Sequence, residues 1–172
     1  MDSVWQHLVQ PDDGLVRLFE PPFRAAVARV GYVEGYPPGV RENGGQYTHA
    51  AVWAAWAVAD PGEFERAGAI ARMIGPLAHG SDAEVIEHYR VEPYVVAADI
   101  YTEPPHVGRG GWTWYTGAAA WLYRFLVERM LGVRRVAGQI TLTPTLPPDW
   151  PDCRLVLRDG QTTYDVQITK RS

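Results

Sequence analysis

Hydrophobic and polar positions divide this chain into a long helical stretch and a shorter β stretch. Residues 3–9 pattern as a short helix behind Asp2 or Ser3, and Pro11-Asp12-Asp13-Gly14 ends it in a turn. Across residues 19–45, the pairs Pro21-Pro22 and Pro37-Pro38 and repeated glycines exclude a continuous helix, apart from a turn or two over 23–30. Tyr32 and Tyr36 favour an ordered loop there over a linker. Residues 47–60 are apolar almost all round, the pattern of a helix buried on every side. After Pro61-Gly62, Phe64, Ala67, Ala71 and Ile74 recur at helical spacing opposite Glu63, Glu65, Arg66 and Arg72, which predicts an amphipathic helix. A buried helix followed by an amphipathic one reads as the inner and outer layers of a helical toroid or solenoid.

Further along, Ser81-Asp82-Ala83-Glu84 has the form of a capping box opening a helix toward Tyr89. Glu92-Pro93 suits an N-cap followed by proline and predicts a helix through about residue 101, ended by Pro104-Pro105. Residues 106–111 form a glycine-rich loop, and 113–131 carry the strongest helix pattern, closed by Gly132. Residues 139–143, 153–158 and 161–169 read as strands, with Asp159-Gly160 as a two-residue hairpin turn. Three strands are a marginal sheet, so they are expected to pack on the helices or to complete a sheet of a longer protein. The predicted organisation is mainly α over 1–132 with a C-terminal β element over 133–172.

Composition narrows the function classes. With 172 residues, 47% of them hydrophobic and 21% charged, the chain has the material for one folded unit. Sixteen basic against twenty acidic residues, a formal charge of −4, disfavour nucleic acid as a partner. A lone cysteine, Cys153, excludes an intrachain disulfide and a cysteine-built zinc site, and no metal ligand set is expected. The start lacks the pattern of a signal peptide, and no apolar run is long enough to span a membrane, so a cytoplasmic location is expected. Of the sixteen tryptophans and tyrosines, twelve fall between Tyr32 and Trp121, which marks the segment where chemistry is to be sought.

Two clusters stand out within it. The segment Tyr36-Pro37-Pro38-Gly39-Val40-Arg41-Glu42-Asn43-Gly44-Gly45-Gln46-Tyr47-Thr48-His49 brings a carboxylate, two amides and an imidazole from a glycine-bearing loop into a buried helix. Glu42 and Asn43 could simply cap that helix, with His49 a satisfied core histidine; taken together with the tyrosines, the group points rather to a binding site. The segment Gly108-Arg109-Gly110-Gly111-Trp112-Thr113-Trp114-Tyr115-Thr116-Gly117 offers amides at a helix start, a threonine hydroxyl and an arginine, a chemistry suited to anions. Its rings beside hydrogen-bonding groups suit sugars as well. An equally weighted reading makes the tryptophans core and the glycines a tight turn.

These two segments, with Val91-Glu92-Pro93-Tyr94-Val95-Val96-Ala97-Ala98-Asp99 between them, resemble the C-terminal part of glycoside hydrolase family 94, the inverting disaccharide and oligosaccharide phosphorylases. Within the family the spelling is most similar to the phosphorylase-like domain of cyclic β-1,2-glucan synthases and to 1,2-β-oligoglucan phosphorylases. The resemblance implies an (α/α)6 barrel followed by strands of a β-sandwich-type domain. Six helical hairpins need roughly 200 residues, against about 130 here, so an incomplete barrel, a piece of a larger enzyme, is expected.

Carried over by motif, the resemblance implies that Tyr36 and Glu42 contact the acceptor sugar, and that His49, Thr116 and Gly117 bind phosphate. It implies no cofactor, inorganic phosphate being a co-substrate. The implied partners are a β-glucan oligosaccharide, phosphate and the remainder of the parent enzyme, with a homodimer and inner-membrane attachment of the parent left open. The family's general acid, in an Asp-Trp-Asn-Asp-Gly-like motif, has no counterpart in this sequence, and neither has its phosphate-binding arginine. Ala98 stands where cellobiose-type members carry glutamine, which argues against cellobiose. Two rival expectations remain: an inverting glycosidase using Glu42 or another acid as base, and a non-catalytic glycan-binding fragment.

Overall fold

The computed structural model describes residues 2–24, 30–114 and 117–170. Helix α1 (Asp2–His7) runs into a short antiparallel pair, β1 (Val9–Gln10) and β2 (Leu15–Val16), closed over the Pro11–Gly14 turn. A 3-10 turn spans Tyr32–Gly35, and β3 (Gln46–Tyr47) then leads directly into α2 (Thr48–Ala59). The helical turns expected over 23–30 fall largely on residues 25–29, outside the described residues.

Ala51, Val52, Ala55, Val58 and Ala59 of α2 are buried, as the apolar run predicts, but the helix is not covered on every side. Trp53 is 53% exposed although its ring meets His49 at 4.8 Å and Trp121 at 5.6 Å. Helix α3 (Phe64–Ile74) is amphipathic as expected and turns Ala67, Ile70, Ala71 and Ile74 toward α2. Two short helices follow, α4 (Pro76–His79) and α5 (Ala83–Tyr89). The cap of α5 is Asp82 rather than Ser81: its carboxylate accepts the Val85 N–H at 3.0 Å, and Ser81 lies one residue outside.

The helix expected from Glu92 to about residue 101 does not form. That segment turns, then extends into β4 (Asp99–Ile100), which pairs antiparallel with β3 through Gln46↔Ile100 and Tyr47↔Asp99. Val95, Ala97 and Ala98 are buried in a turning, non-helical segment that leads into β4, so their apolar run reflects burial rather than a helix. The strong helix also starts later than its pattern suggests. It begins at α6 (Ala118–Arg124), continues as a π-helical turn over Phe125–Met130, and ends at Gly132, whose φ is +67°. Trp114, with φ +69°, is the residue that keeps the preceding segment out of the helix.

The C-terminal part is two hairpins. Strand β5 (Val133–Val136), which the hydrophobic pattern did not reveal, pairs with β6 (Gln139–Leu142) across Ala137-Gly138, both at positive φ as a tight hairpin of this type requires. Strands β7 (Cys153–Asp159) and β8 (Thr162–Ile168) pair from Cys153↔Ile168 to Asp159↔Thr162, so the turn is Gly160-Gln161, one residue beyond the predicted dipeptide. The architecture is thus helices followed by small antiparallel sheets. One core joins α2, α3, α6 and the π-helical turn, centred on Val52, Ala55, Ile70 and Phe125. A smaller core of Tyr89, Ala97 and Ile100 holds the loops that follow α5. Among the described residues no helix is long and apolar enough to cross a membrane.

Candidate functional site

The three segments marked in the sequence meet along β4. On one side β4 pairs with β3; on the other, the Gly111 N–H donates to the Asp99 carbonyl at 2.8 Å and the Ala98 N–H to the Trp112 carbonyl at 2.6 Å. Tyr101 N–H donates to Arg109 and Gly108 N–H back to Tyr101, extending the ribbon. The loop before β3 is tied in through Thr102, whose N–H donates to the Gly39 carbonyl and whose hydroxyl donates to the Gly44 carbonyl. Segments far apart in sequence therefore form one continuous hydrogen-bonded layer. Gly111 is required there, because a Cβ at this position would collide with the Asp99 carboxylate.

Asn43 organises the loop that carries the first cluster. Fully buried, it accepts the Phe23 N–H at 2.7 Å and donates to the carbonyls of Phe23 and Tyr36. This disposes of the helix-capping alternative for Asn43, and the N-cap of α2, Tyr47, makes no side-chain capping bond. Glu42 is not a cap either: its carboxylate faces Arg41 at 3.5 Å, with Oε2 buried and without a hydrogen-bond partner among the described residues. Arg41 takes a positive φ of 49° and lays its guanidinium over two rings, Trp112 at 4.8 Å and Tyr36 at 5.7 Å. Tyr36 and Glu42, both predicted site residues, are thus brought together around Arg41, which the sequence reading had not singled out. Trp112 is 55% exposed and Trp114 69%, so the reading that made these tryptophans core is wrong.

His49 and Gly117 form the second part of the site. His49 lies in the first turn of α2, and Gly117 is the residue before α6. The imidazole sits between Trp53 at 4.8 Å and Trp121 at 5.8 Å, with its Nε2 buried and lacking a hydrogen-bond partner among the described residues. A satisfied core histidine would not leave that nitrogen open. Thr116, the third predicted phosphate ligand, lies outside the described residues. Arg109, which the anion reading had included, lines a different cavity with Glu84, Glu87 and His88.

Asp99 and Glu103 are the carboxylates nearest the glycine-rich loop in sequence, the first buried and the second ion-paired. Asp99 is 1% exposed and accepts the Trp112 N–H at 3.0 Å. Burial pushes its carboxyl above the ordinary carboxylate range, against the pull of the Trp112 N–H and of Arg41. Glu103 is ion-paired with Arg24. Among the described residues no group of three His, Cys, Asp or Glu side chains is placed to hold a metal ion. Sequence reasoning missed Arg41, and only its place inside the Tyr36–His49 motif could have signalled it; the exposed Trp112 ring agrees with the reading that set the rings of its segment against a sugar.

The family model described as the glycosyl hydrolase 94 superfamily, catalytic domain, matches residues 1–132. Cyclic beta-(1,2)-glucan synthase NdvB of Rhizobium meliloti (strain 1021) is 49% identical over 172 residues, which is all of this chain and 6% of that protein. Solabiose phosphorylase of Paenibacillus borealis is 31% identical over 154 residues, 88% of this chain and 20% of that protein. N,N'-diacetylchitobiose phosphorylase of Vibrio proteolyticus is 28% identical over 169 residues, 98% of this chain and again 20% of that protein. The chain therefore spans between 6% and 20% of the length of these relatives.

Proposed function

The chain belongs to the glycosyl hydrolase 94 superfamily, and from that premise we propose that it supplies the phosphate- and acceptor-binding part of an inverting phosphorylase acting on β-linked glucans. Its α2, α3 and α6 are then one side of an (α/α)6 barrel whose remaining helices lie outside these residues. The observation that carries the proposal is His49, whose Nε2 is buried and open among the described residues while the Cε1–Nδ1 edge of its ring faces Gly117, each residue standing at the start of a helical segment. A buried imidazole with an unused nitrogen, beside helix-start amides, is suited to an anion that arrives with the substrate.

Phosphorolysis uses phosphate itself as the nucleophile, so the site needs no carboxylate base on that face of the sugar. It must hold the anion in line with the bond to be broken, and a general acid must protonate the glycosidic oxygen on the other side. His49, Thr116 and Gly117 take the first role. Tyr36 and Glu42, with the Trp112 ring alongside, take the acceptor sugar, the ring packing on its C–H face and the carboxylate accepting from hydroxyls. The acid is supplied by residues outside this chain. A β-1,2 linkage is favoured by the identity to a protein named as a cyclic beta-(1,2)-glucan synthase, while the other relatives are named as phosphorylases of other sugars.

The test uses a full-length polypeptide carrying these residues, supplied with β-1,2-gluco-oligosaccharide. Release of glucose 1-phosphate that depends on phosphate supports the proposal; phosphate-independent release of glucose favours an inverting glycosidase, and binding without turnover favours a glycan-binding role. His49→Ala and Thr116→Ala are expected to weaken phosphate use by about 1.5–3 kcal/mol, the loss of a charge-assisted hydrogen bond.

A further inference from the structure

Of the three segments that meet along β4, residues 91–99 have no part in the chemistry proposed above. Their Glu92-Pro93-Tyr94 run, which imitates a helix start, makes a turn instead. The Val95 N–H closes it by donating to the Glu92 carbonyl at 3.1 Å, and the buried Val95 and Ala97 anchor it. The side chains on either side of Pro93 both meet Trp114. Glu92 Oε1 accepts the indole N–H of Trp114 at 2.7 Å, and the Tyr94 ring lies edge-on to the indole at 6.3 Å with an interplanar angle of 67°. The bond to Glu92 is charge-assisted, and it holds that carboxyl below the ordinary carboxylate range.

Trp114 needs holding. Its φ of +69° is a backbone conformation that bulky side chains rarely adopt, and it persists only where the surroundings fix it. Burial among the described residues does not fix it, because Trp114 is 69% exposed. The turn at Glu92–Tyr94 does, through one hydrogen bond and one ring contact.

What Trp114 fixes in turn is the path into α6. Up to Trp112 the backbone is tied to β4, the Ala98 N–H donating to the Trp112 carbonyl at 2.6 Å. From the fully buried Ala118 onward it belongs to α6, whose Trp121 N–H donates to the Gly117 carbonyl at 3.0 Å. Trp114 is the point at which the chain turns out of the layer, and Gly117, just beyond it, faces the His49 ring.

We propose that Glu92 is a positioning residue: by holding the Trp114 indole it fixes where the chain leaves the β4 layer, and so sets Gly117 against His49 for phosphate. The proposal rests on the phosphate-site reading of His49 and Gly117. Glu92 makes no contact with phosphate itself; it acts by having the site in place before the anion arrives. It is then required for the bond it accepts rather than for its charge, and a glutamine can replace it.

The experiment compares wild type, Glu92→Ala, Glu92→Gln, Trp114→Phe and the double variant Glu92→Ala/Trp114→Phe in the full-length polypeptide. Phosphate KM is measured in phosphorolysis of β-1,2-gluco-oligosaccharide, acceptor KM in synthesis from glucose 1-phosphate, and hydrogen exchange without any ligand. Glu92→Ala and Trp114→Phe each delete the bond and are expected to raise the phosphate KM about fivefold, leaving the acceptor KM within about twofold. The double variant should show no further rise, because both changes remove one interaction. Glu92→Gln keeps an oxygen for the indole N–H and should hold the phosphate KM within about twofold of wild type. Exchange should quicken over 117–124 in Glu92→Ala and Trp114→Phe but not in Glu92→Gln, while 108–112 stays protected throughout.

An unchanged phosphate KM in Glu92→Ala, an equal rise for acceptor and phosphate, a Trp114→Phe without effect, or a loss in Glu92→Gln as large as in Glu92→Ala would each overturn the proposal. A wild type without phosphate-dependent turnover sinks the phosphorylase reading instead, and exchange then decides the role of Glu92. In that case 117–124 loosened by Glu92→Ala and spared by Glu92→Gln supports the positioning role, and 117–124 unaltered removes it. Should Glu92→Ala fail to fold, Trp114→Phe set against Glu92→Gln carries the same comparison.

Discussion

His49 and Gly117 face each other so closely that a Cβ on Gly117 would stand 3.6 Å from His49 Cε1 and 3.7 Å from Nδ1. These are ordinary van der Waals distances, and Gly117 has φ −73° and ψ −11°, which any residue adopts. Gly117→Ala is therefore expected to leave the fold within about 1 kcal/mol of wild type. The added methyl fills the space facing the imidazole, where the proposed phosphate would sit, and the phosphate KM should rise about tenfold or more. Thermal unfolding and phosphate saturation curves, read side by side, check both halves. A phosphate KM unchanged in a stable variant removes Gly117 from the site.

Glu42→Gln separates the two halves of the proposed site. Its carboxylate lies with Arg41 and the Tyr36 and Trp112 rings, a different set of neighbours from the tryptophans around His49. Acceptor binding should weaken by about 1.5–3 kcal/mol with phosphate affinity largely kept. Equal losses for acceptor and phosphate, measured as two KM values in the synthetic and phosphorolytic directions, would show that Glu42 serves the fold rather than the sugar.

The parts of this arrangement that sequence made legible are those set by local pattern. Helix α3 follows from Phe64, Ala67, Ala71 and Ile74 at helical spacing, and α2 from an unbroken apolar run. Strand β4 was misread because Glu92-Pro93 imitates a helix start, while the partners that make it a strand, Gln46 and Tyr47, lie some fifty residues away. Strand β5 was hidden by a different cause: Arg134 and Arg135 interrupt the alternation, and Ala137-Gly138 is a weaker turn signal than Asn-Gly. At the site, motif spelling brought out Tyr36, Glu42, His49 and Gly117. Arg41 escaped it because its stacking on Trp112 depends on distant segments meeting along β4, which no local pattern encodes.

His79 supplies a pH dependence of stability. Its ring stacks on Tyr89 at 4.4 Å with an interplanar angle of 10°, and its Nε2 is buried without a hydrogen-bond partner among the described residues. Burial holds its pKa below the ordinary 6.5, opposed by a hydrogen bond with the Met73 backbone. The unfolded chain therefore takes up a proton near pH 6.5 that the folded chain refuses until lower pH. Stability from this group is complete above pH 6.5 and is lost as the pH falls below it, by at most about 1.4 kcal/mol per pH unit. His79→Phe keeps the stack on Tyr89 and should flatten the acid side of a urea-denaturation series taken between pH 7 and 5. An unchanged slope in the variant assigns the acid sensitivity to other groups.

The 172-residue chain on its own presents a different expectation. An apolar groove of about 590 Å³ opens between α3, α4 and α6, walled by Ala71, Leu77, Val96, Leu122, Tyr123 and Trp150. Leu77 is 89% exposed and Tyr123 68%, while on another face Trp53 of α2 stands half open. Apolar surface gathered in this way drives association, and a net charge of −4 opposes it only weakly. The purified chain is therefore expected to self-associate, with Leu77→Glu and Tyr123→Glu shifting sedimentation toward the monomer. It is also expected to release no glucose 1-phosphate from β-1,2-glucan at high phosphate. The Asp-Trp-Asn-Asp-Gly-like acid motif is absent, Asp99 is shut away behind Trp112, and protonation of the leaving oxygen is worth typically 10²–10⁴-fold in rate. A monodisperse monomer that releases the sugar phosphate would contradict both expectations and place the acid within these residues, with Glu103 the first to test by substitution to glutamine, since its carboxylate is 18% exposed beside Arg24.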